Sequence, residues 1–180
     1  MGFFRRFLAR MCRWRGATPP KVRPRLDSRS EKNIDSLLPA AQETFRDLAV
    51  IAKRVAGRYG LDAKVISGHR SYEEQQVLYD KGRTTPGPKV TNAPPGFSNH
   101  NFKVACDMGL FDGSEYVDGR GGDTANKIYK IIANTAEAEG LNLAWGGHWS
   151  RFPDPPHWEY KTGFTVSEMR ERKAAGLPVV

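Results

Sequence analysis

The sequence predicts a single α+β domain, with a small antiparallel sheet flanked by helices. Three observations point there. Its 180 residues leave room for one core of ordinary size. A composition of 39% hydrophobic and 27% charged residues is that of a globular chain and excludes wholesale disorder, collagen and a rod. Helix-period and strand-period segments follow one another without a regular βαβ rhythm, and no internal repeat appears.

The elements follow in order. Residues 1–14 set Phe3, Phe4, Phe7, Leu8, Met11 and Trp14 at helical spacing, with Arg5, Arg6, Arg10 and Arg13 between them. This predicts a cationic amphipathic tail, with an unstructured solubilising arm as the alternative. Arginines interrupt every candidate apolar core, so no cleavable secretory segment is expected, and no run approaches the ~18–20 apolar residues of a membrane span. Prolines and further basic residues make 16–26 a linker. The expected organisation is therefore a tail and linker over 1–26 and a folded domain over 27–180.

Apolar or small residues at 41, 45, 48, 52 and 55, closed by Gly60, predict a helix over 39–58. Residues 63–67 predict a short strand. Ser71 and Glu74 match a capping box that opens a helix ending at Gly82. Residues 83–99, rich in Pro, Gly, Thr and Asn, predict a long loop, and loops of that length in compact domains are usually functional. Alternation over 102–110 predicts a strand. Asp123 opens a helix carrying Ile128, Ile131, Ile132 and Thr135 that closes at Gly140. Strands at 143–145 and 157–160 and a last helix at 167–175 complete the series.

The net charge of +8 is unevenly placed. Residues 1–25 hold eight of the 28 basic side chains and no acid, so the rest carries 20 of each sign. A neutral body gives no reason to expect a nucleic-acid partner, and the tail suits an anionic membrane surface through residues 1–15. Two cysteines, Cys12 and Cys106, are too few for a disulfide framework.

Four histidines are present, two of them with carboxylates nearby: His100 precedes Asp107 by seven residues, and Asp154 precedes His157 by three. Two imidazoles and a carboxylate with an open fourth position suit a catalytic zinc ion, and a further carboxylate suits a general base. Seven residues of straight strand would separate His100 from Asp107 by about 23 Å. The chain must therefore turn between them, or His100 must hang from the loop while Asp107 sits on the strand, an arrangement that the loop ending in Gly96 and Asn99 permits. Pro155 and Pro156 hold the backbone so that Asp154 and His157 can face a common point. On spacing alone, ordinary core or surface histidines remain the alternative.

Three segments carry a resemblance: SGHRSYEEQQVLY, GRTTPGPKVTNAPPGFSNHNFKVACDMGLF and WGGHWSRFPDPPHWEY. In their order and spacing, residues 35–165 resemble the zinc peptidoglycan peptidases. That group includes VanY-type D-alanyl-D-alanine carboxypeptidases and endolysin-type L-alanyl-D-glutamate endopeptidases, and the GRT…VTNA…SNHN wording leans toward the latter. The resemblance implies a hedgehog/DD-peptidase-like fold, one zinc ion, peptidoglycan as partner and cell-wall degradation as the function. It makes His100, Asp107 and His157 the zinc ligands, Asp154 the residue that activates water, and Arg70 the partner of the developing oxyanion. Ser98, beside the first histidine, is expected to support the site, with His148 and Trp149 contacting substrate. Cys106 is expected to be buried and unreactive.

The family pattern usually has glycine three residues after the first histidine, where this chain has Lys103, and often an acid where it has His148. Within the resemblance, carboxypeptidase action and a non-catalytic zinc-bearing peptidoglycan-binding module are the alternatives to the endopeptidase. The wall lies outside the inner membrane, so phage-type release or attachment through the tail is the expected route to it.

Overall fold

A computed structural model describes residues 24–117 and 123–180. The expected tail and most of the linker lie outside the described residues. Leu26, at the end of that linker, is already packed in the core.

Helix α1 (Ser28–Asp35) begins at Asp27, whose carboxylate accepts hydrogen bonds from Ser30 N (3.0 Å) and Ser30 Oγ (2.6 Å). The sequence reading missed α1, because a polar helix with only Ser30 and Ile34 buried has little apolar periodicity to detect. Helix α2 (Pro39–Gly57) has proline in its first turn and buries Phe45, Leu48, Ile51, Ala52 and Val55. Strand β1 (Asp62–Ser67) follows, then helix α3 (Tyr72–Asp80), opened by the expected Ser71–Glu74 capping box. After the loop, a 3₁₀ turn (Asn99–Phe102) precedes strand β2 (Ala105–Asp112) and a two-residue strand β3 (Glu115–Tyr116). Helix α4 (Asp123–Ala138), strand β4 (Leu143–Trp145), strand β5 (His157–Tyr160) and helix α5 (Val166–Ala174) complete the described elements.

The expected strand at 102–110 thus begins three residues later. Lys103 takes a left-handed conformation (φ 62°) at the end of the 3₁₀ turn, which no strand can include. It is the only described non-glycine residue with positive φ.

The strands pair in the order β1-β2-β5-β4, with β3 on β2, and every pairing is antiparallel. Period-two alternation then sorts the side chains of β2 and β5. Cys106, Met108, Leu110 and Trp158 are buried in one core with residues of α2 and α4, including Phe45, Val55, Ile128 and Ile132. The intervening Asp107, His157 and Glu159 line a cleft. At the β1 edge, α1 side chains take the place of a further strand: Ser30 Oγ accepts from Val65 N (2.9 Å), and Asn33 Nδ2 donates to Val65 O (2.7 Å).

Candidate metal centre

Antiparallel register sets Asp107 directly opposite His157. Asp107 Oδ1 lies 3.0 Å from His157 Nδ1 and 3.2 Å from His100 Nε2, and the two imidazole nitrogens are 3.3 Å apart. Two donors therefore come from paired strands and the third from the 3₁₀ turn, the arrangement expected if His100 hangs from the loop. Ligand atoms 2.0–2.1 Å from a tetrahedral zinc are about 3.3–3.4 Å apart, so the triangle has nearly the required edge.

The ring orientations also fit a metal. His100 Nδ1 is 2.7 Å from Gly68 O, an oxygen that only accepts, so Nδ1 carries the proton and the neutral ring presents a bare Nε2. His157 Nε2 is 3.0 Å from a Glu159 carboxylate oxygen, which leaves Nδ1 bare in the neutral ring. Outer hydrogen bonds of this kind fix the tautomer and orientation of metal-binding histidines. His100 and His157 are both buried.

Without a metal the cluster is an ion-pair network. Burial pulls the His157 pKa down, but hydrogen bonds to Asp107 and Glu159 overcome it and raise the pKa to about 9. Burial also opposes ionisation of Asp107, yet the adjacent His100 and His157 hold its carboxyl well below the usual aspartate range.

Arg70 Nη2 stands 3.5 Å from Asp107 Oδ2. Its guanidinium donates to Gln75 Oε1 (3.0 Å) and Ser67 Oγ (3.3 Å), which fixes its direction. Gln75 is fully buried and donates to Ala93 O (2.7 Å), so one amide ties the arginine to the long loop. Asn101, also buried, donates to Arg70 O (2.9 Å) and accepts from Gly96 N (3.0 Å).

Asp154 N donates to Gly146 O and Asp154 O accepts from His157 N, both at 3.0 Å, while Trp145 Nε1 donates to Pro155 O (2.7 Å). The turn before β5 is thereby closed on itself. Gly146 is required there: a Cβ would stand 2.7 Å from Asp154 O and 3.0 Å from His157 Cβ. Asp154 is exposed as a whole residue, but partial burial of its carboxyl, followed by the charge of Asp107, raises its pKa.

A cleft of about 490 Å³ gathers Arg70, Ser98, His100, Asp107, Asp154, His157 and Trp149. The Trp149 ring lies 5.0 Å from that of His157 and is 40% exposed. His148 stands apart from this group. It is exposed, faces Trp145 at 4.9 Å between ring centres and lines a neighbouring cavity. Cys106 is fully buried, and burial raises its thiol pKa, as expected of an unreactive side chain. Sequence reasoning missed Glu159, Gln75 and Asn101. Only Glu159 left a signal, since two residues after His157 on a strand is the same face.

A family model described as D-alanyl-D-alanine carboxypeptidase matches residues 91–160. The peptidoglycan L-alanyl-D-glutamate endopeptidase CwlK of Bacillus subtilis (strain 168) is 38% identical over 109 residues, 59% of this chain and 65% of its own length. The match thus spans slightly less than two thirds of that relative. The LD-carboxypeptidase LdcB has a similar fold, with a TM-score of 0.52 at 19% identity over 79% of this chain and 66% of that one. The Serratia marcescens L-Ala D-Glu endopeptidase ChiX aligns over 80% of this chain and 93% of its own, with 24% identity and a TM-score of 0.49. The segments that hold its His–Asp–His cluster are thus similar to the D-alanyl-D-alanine carboxypeptidase family model and to CwlK, and its fold is similar to that of LdcB.

Proposed function

We propose that this protein hydrolyses a peptide bond in the stem peptides of bacterial peptidoglycan, with the L-alanyl–D-glutamate bond as its target. The observation that carries this reading is the convergence of His100, Asp107 and His157 in one cleft with Asp154 and Arg70. The similarity to CwlK, an L-alanyl-D-glutamate endopeptidase, supports the choice of bond.

In this reading His100 Nε2, Asp107 Oδ1 and His157 Nδ1 hold one zinc ion. Zinc supplies Lewis acidity, which brings the pKa of water near 7 and polarises a carbonyl. Asp154 takes a proton from the attacking water and returns it to the leaving amine, a role suited by its raised pKa. Arg70, always charged and held by Gln75 and Ser67, meets the carbonyl oxygen as negative charge develops. Gly68 O and the Glu159 carboxylate keep both imidazoles aimed at the common point. Ser98 supports the first histidine, and Trp149 contacts substrate.

Mass spectrometry of purified peptidoglycan incubated with zinc-loaded protein tests the reading. New alanine and glutamate termini, absent with Asp154→Asn, are expected. Loss of terminal D-alanine alone would reassign the protein as a carboxypeptidase. No new termini despite stoichiometric zinc would favour a binding module. The cationic segment 1–15 is proposed to hold the protein at anionic membrane beside the wall. Liposomes containing anionic lipid should retain the full chain better than one starting at Asp27, and equal retention would refute that role.

A further inference from the structure

A second cavity of about 510 Å³ lies beside the cleft, lined by residues of α4, β4 and β5. Its wall includes Trp145, His148, Trp149 and Trp158. Trp149 also lines the cleft, where its ring lies 5.0 Å from that of His157, so the two cavities share that side chain. The rings of Trp145 and Trp158 are 6.0 Å apart, and His148 stands edge-on to Trp145. Trp158 is 1% exposed, and its indole Nε1 is the only buried side-chain polar atom without a hydrogen-bond partner among the described residues. A buried indole N–H ordinarily has a partner, and leaving it without one costs free energy.

Aromatic faces beside an unsatisfied donor define a ligand chemistry. The C–H face of a pyranose ring carries slight positive charge and meets the negative face of an indole. The carbonyl of an N-acetyl group is an acceptor that would complete the indole N–H. We propose that this cavity holds an N-acetylhexosamine of the glycan strand while the cleft holds the attached stem peptide.

This inference rests on the peptidoglycan reading above and sharpens it. An L-alanyl–D-glutamate bond is separated from the ring of the sugar that bears the stem by one alanine and the lactyl ether that joins it, a reach of roughly 7 Å, about two extended residues. A peptide cut at that bond therefore brings its sugar next to the wall that touches His157. A bond at the far D-alanyl end is several residues away and needs no such neighbour.

The test compares two substrates of the zinc-loaded full chain with the same stem peptide, one joined to its N-acetylated disaccharide and one free with an acetylated N-terminus. The glycan-linked substrate should have a kcat/KM at least tenfold higher. That ratio should fall at least fivefold in His148→Ala, a change in preference that a general loss of folding would not produce. Equal kcat/KM values in the unmodified protein would overturn the proposal. If neither substrate is cut, the peptidase reading fails and the subsite is decided by binding alone. The Trp158 indole N–H resonance, assigned by its loss in Trp158→Phe, should then shift saturably with added N,N′-diacetylchitobiose. No shift at tens of millimolar would overturn the subsite.

Discussion

Asp107 and His157 face each other across the β2–β5 pair, with Asp107 Oδ1 3.0 Å from His157 Nδ1. Backbone register, rather than loop conformation, thus sets two corners of the candidate metal-binding triangle. Replacing Asp107 by Ala should abolish stoichiometric zinc binding while leaving the apolar face of β2 intact. Zinc affinity measured by chelator competition should fall by more than the ~100-fold that an outer partner contributes.

Glu159 is such an outer partner. Glu159→Gln keeps all three candidate ligands but weakens the hydrogen bond that orients His157. Zinc affinity should fall about 10–100-fold, and the same titration measures it.

The metal-free protein should show a specific pH dependence. The folded-state pKa of His157, about 9, lies above the unfolded value near 6.5. Its contribution is therefore fully present below pH ~6.5 and is lost as pH rises through about 9, on the order of 3 kcal/mol. Asp107, whose pKa is depressed, contributes in the opposite sense and is lost on acidification below its unfolded value of ~3.9. Thermal melts of chelator-treated protein should fall in midpoint between pH 6.5 and 9. Zinc must displace the His157 proton, so zinc affinity should rise by about tenfold per pH unit across that range and level off above it.

Lys103 occupies a left-handed position on an exposed turn. That conformation costs an L-residue about 1–2 kcal/mol, and glycine gives back roughly 0.5–1 kcal/mol through its greater unfolded freedom. Lys103→Gly should therefore stabilise the protein by about 0.5–1 kcal/mol, a rise in melting midpoint of about 1–4 °C. Zinc stoichiometry should be unchanged.

Gly146→Ala should have the opposite character. The added methyl would press on Asp154 O and His157 Cβ, and overpacking of this kind typically costs about 1–3 kcal/mol. Because the displaced atoms belong to the turn that aims Asp154, turnover should fall more than stability does. Steady-state kinetics at a temperature well below the melting midpoint separates the two effects.

Local signals were sufficient for much of this molecule. Apolar periodicity located α2 and α4, the Ser71–Glu74 pair located the start of α3, and the two His–carboxylate pairs marked the cluster. What sequence could not show depends on partners distant in the chain. Gln75 matters because it reaches both Arg70 and Ala93 O, and Asn101 because it reaches Arg70 O. The strand start moved because Lys103 turned left-handed, a conformation rare outside glycine. His148 sits three residues after Trp145, yet the short 3₁₀ turn Gly146–His148 directs it to the neighbouring cavity.

The most direct test of the central claim is a paired measurement of zinc content and turnover on peptidoglycan for the protein and for Asp154→Asn. Both should bind one zinc per chain, because Asp154 lies outside the three-atom cluster. Turnover should fall at least a hundredfold in the variant, within the ~10²–10⁴ range of general acid–base catalysis. Undiminished turnover in the variant, or loss of its zinc, would contradict the account.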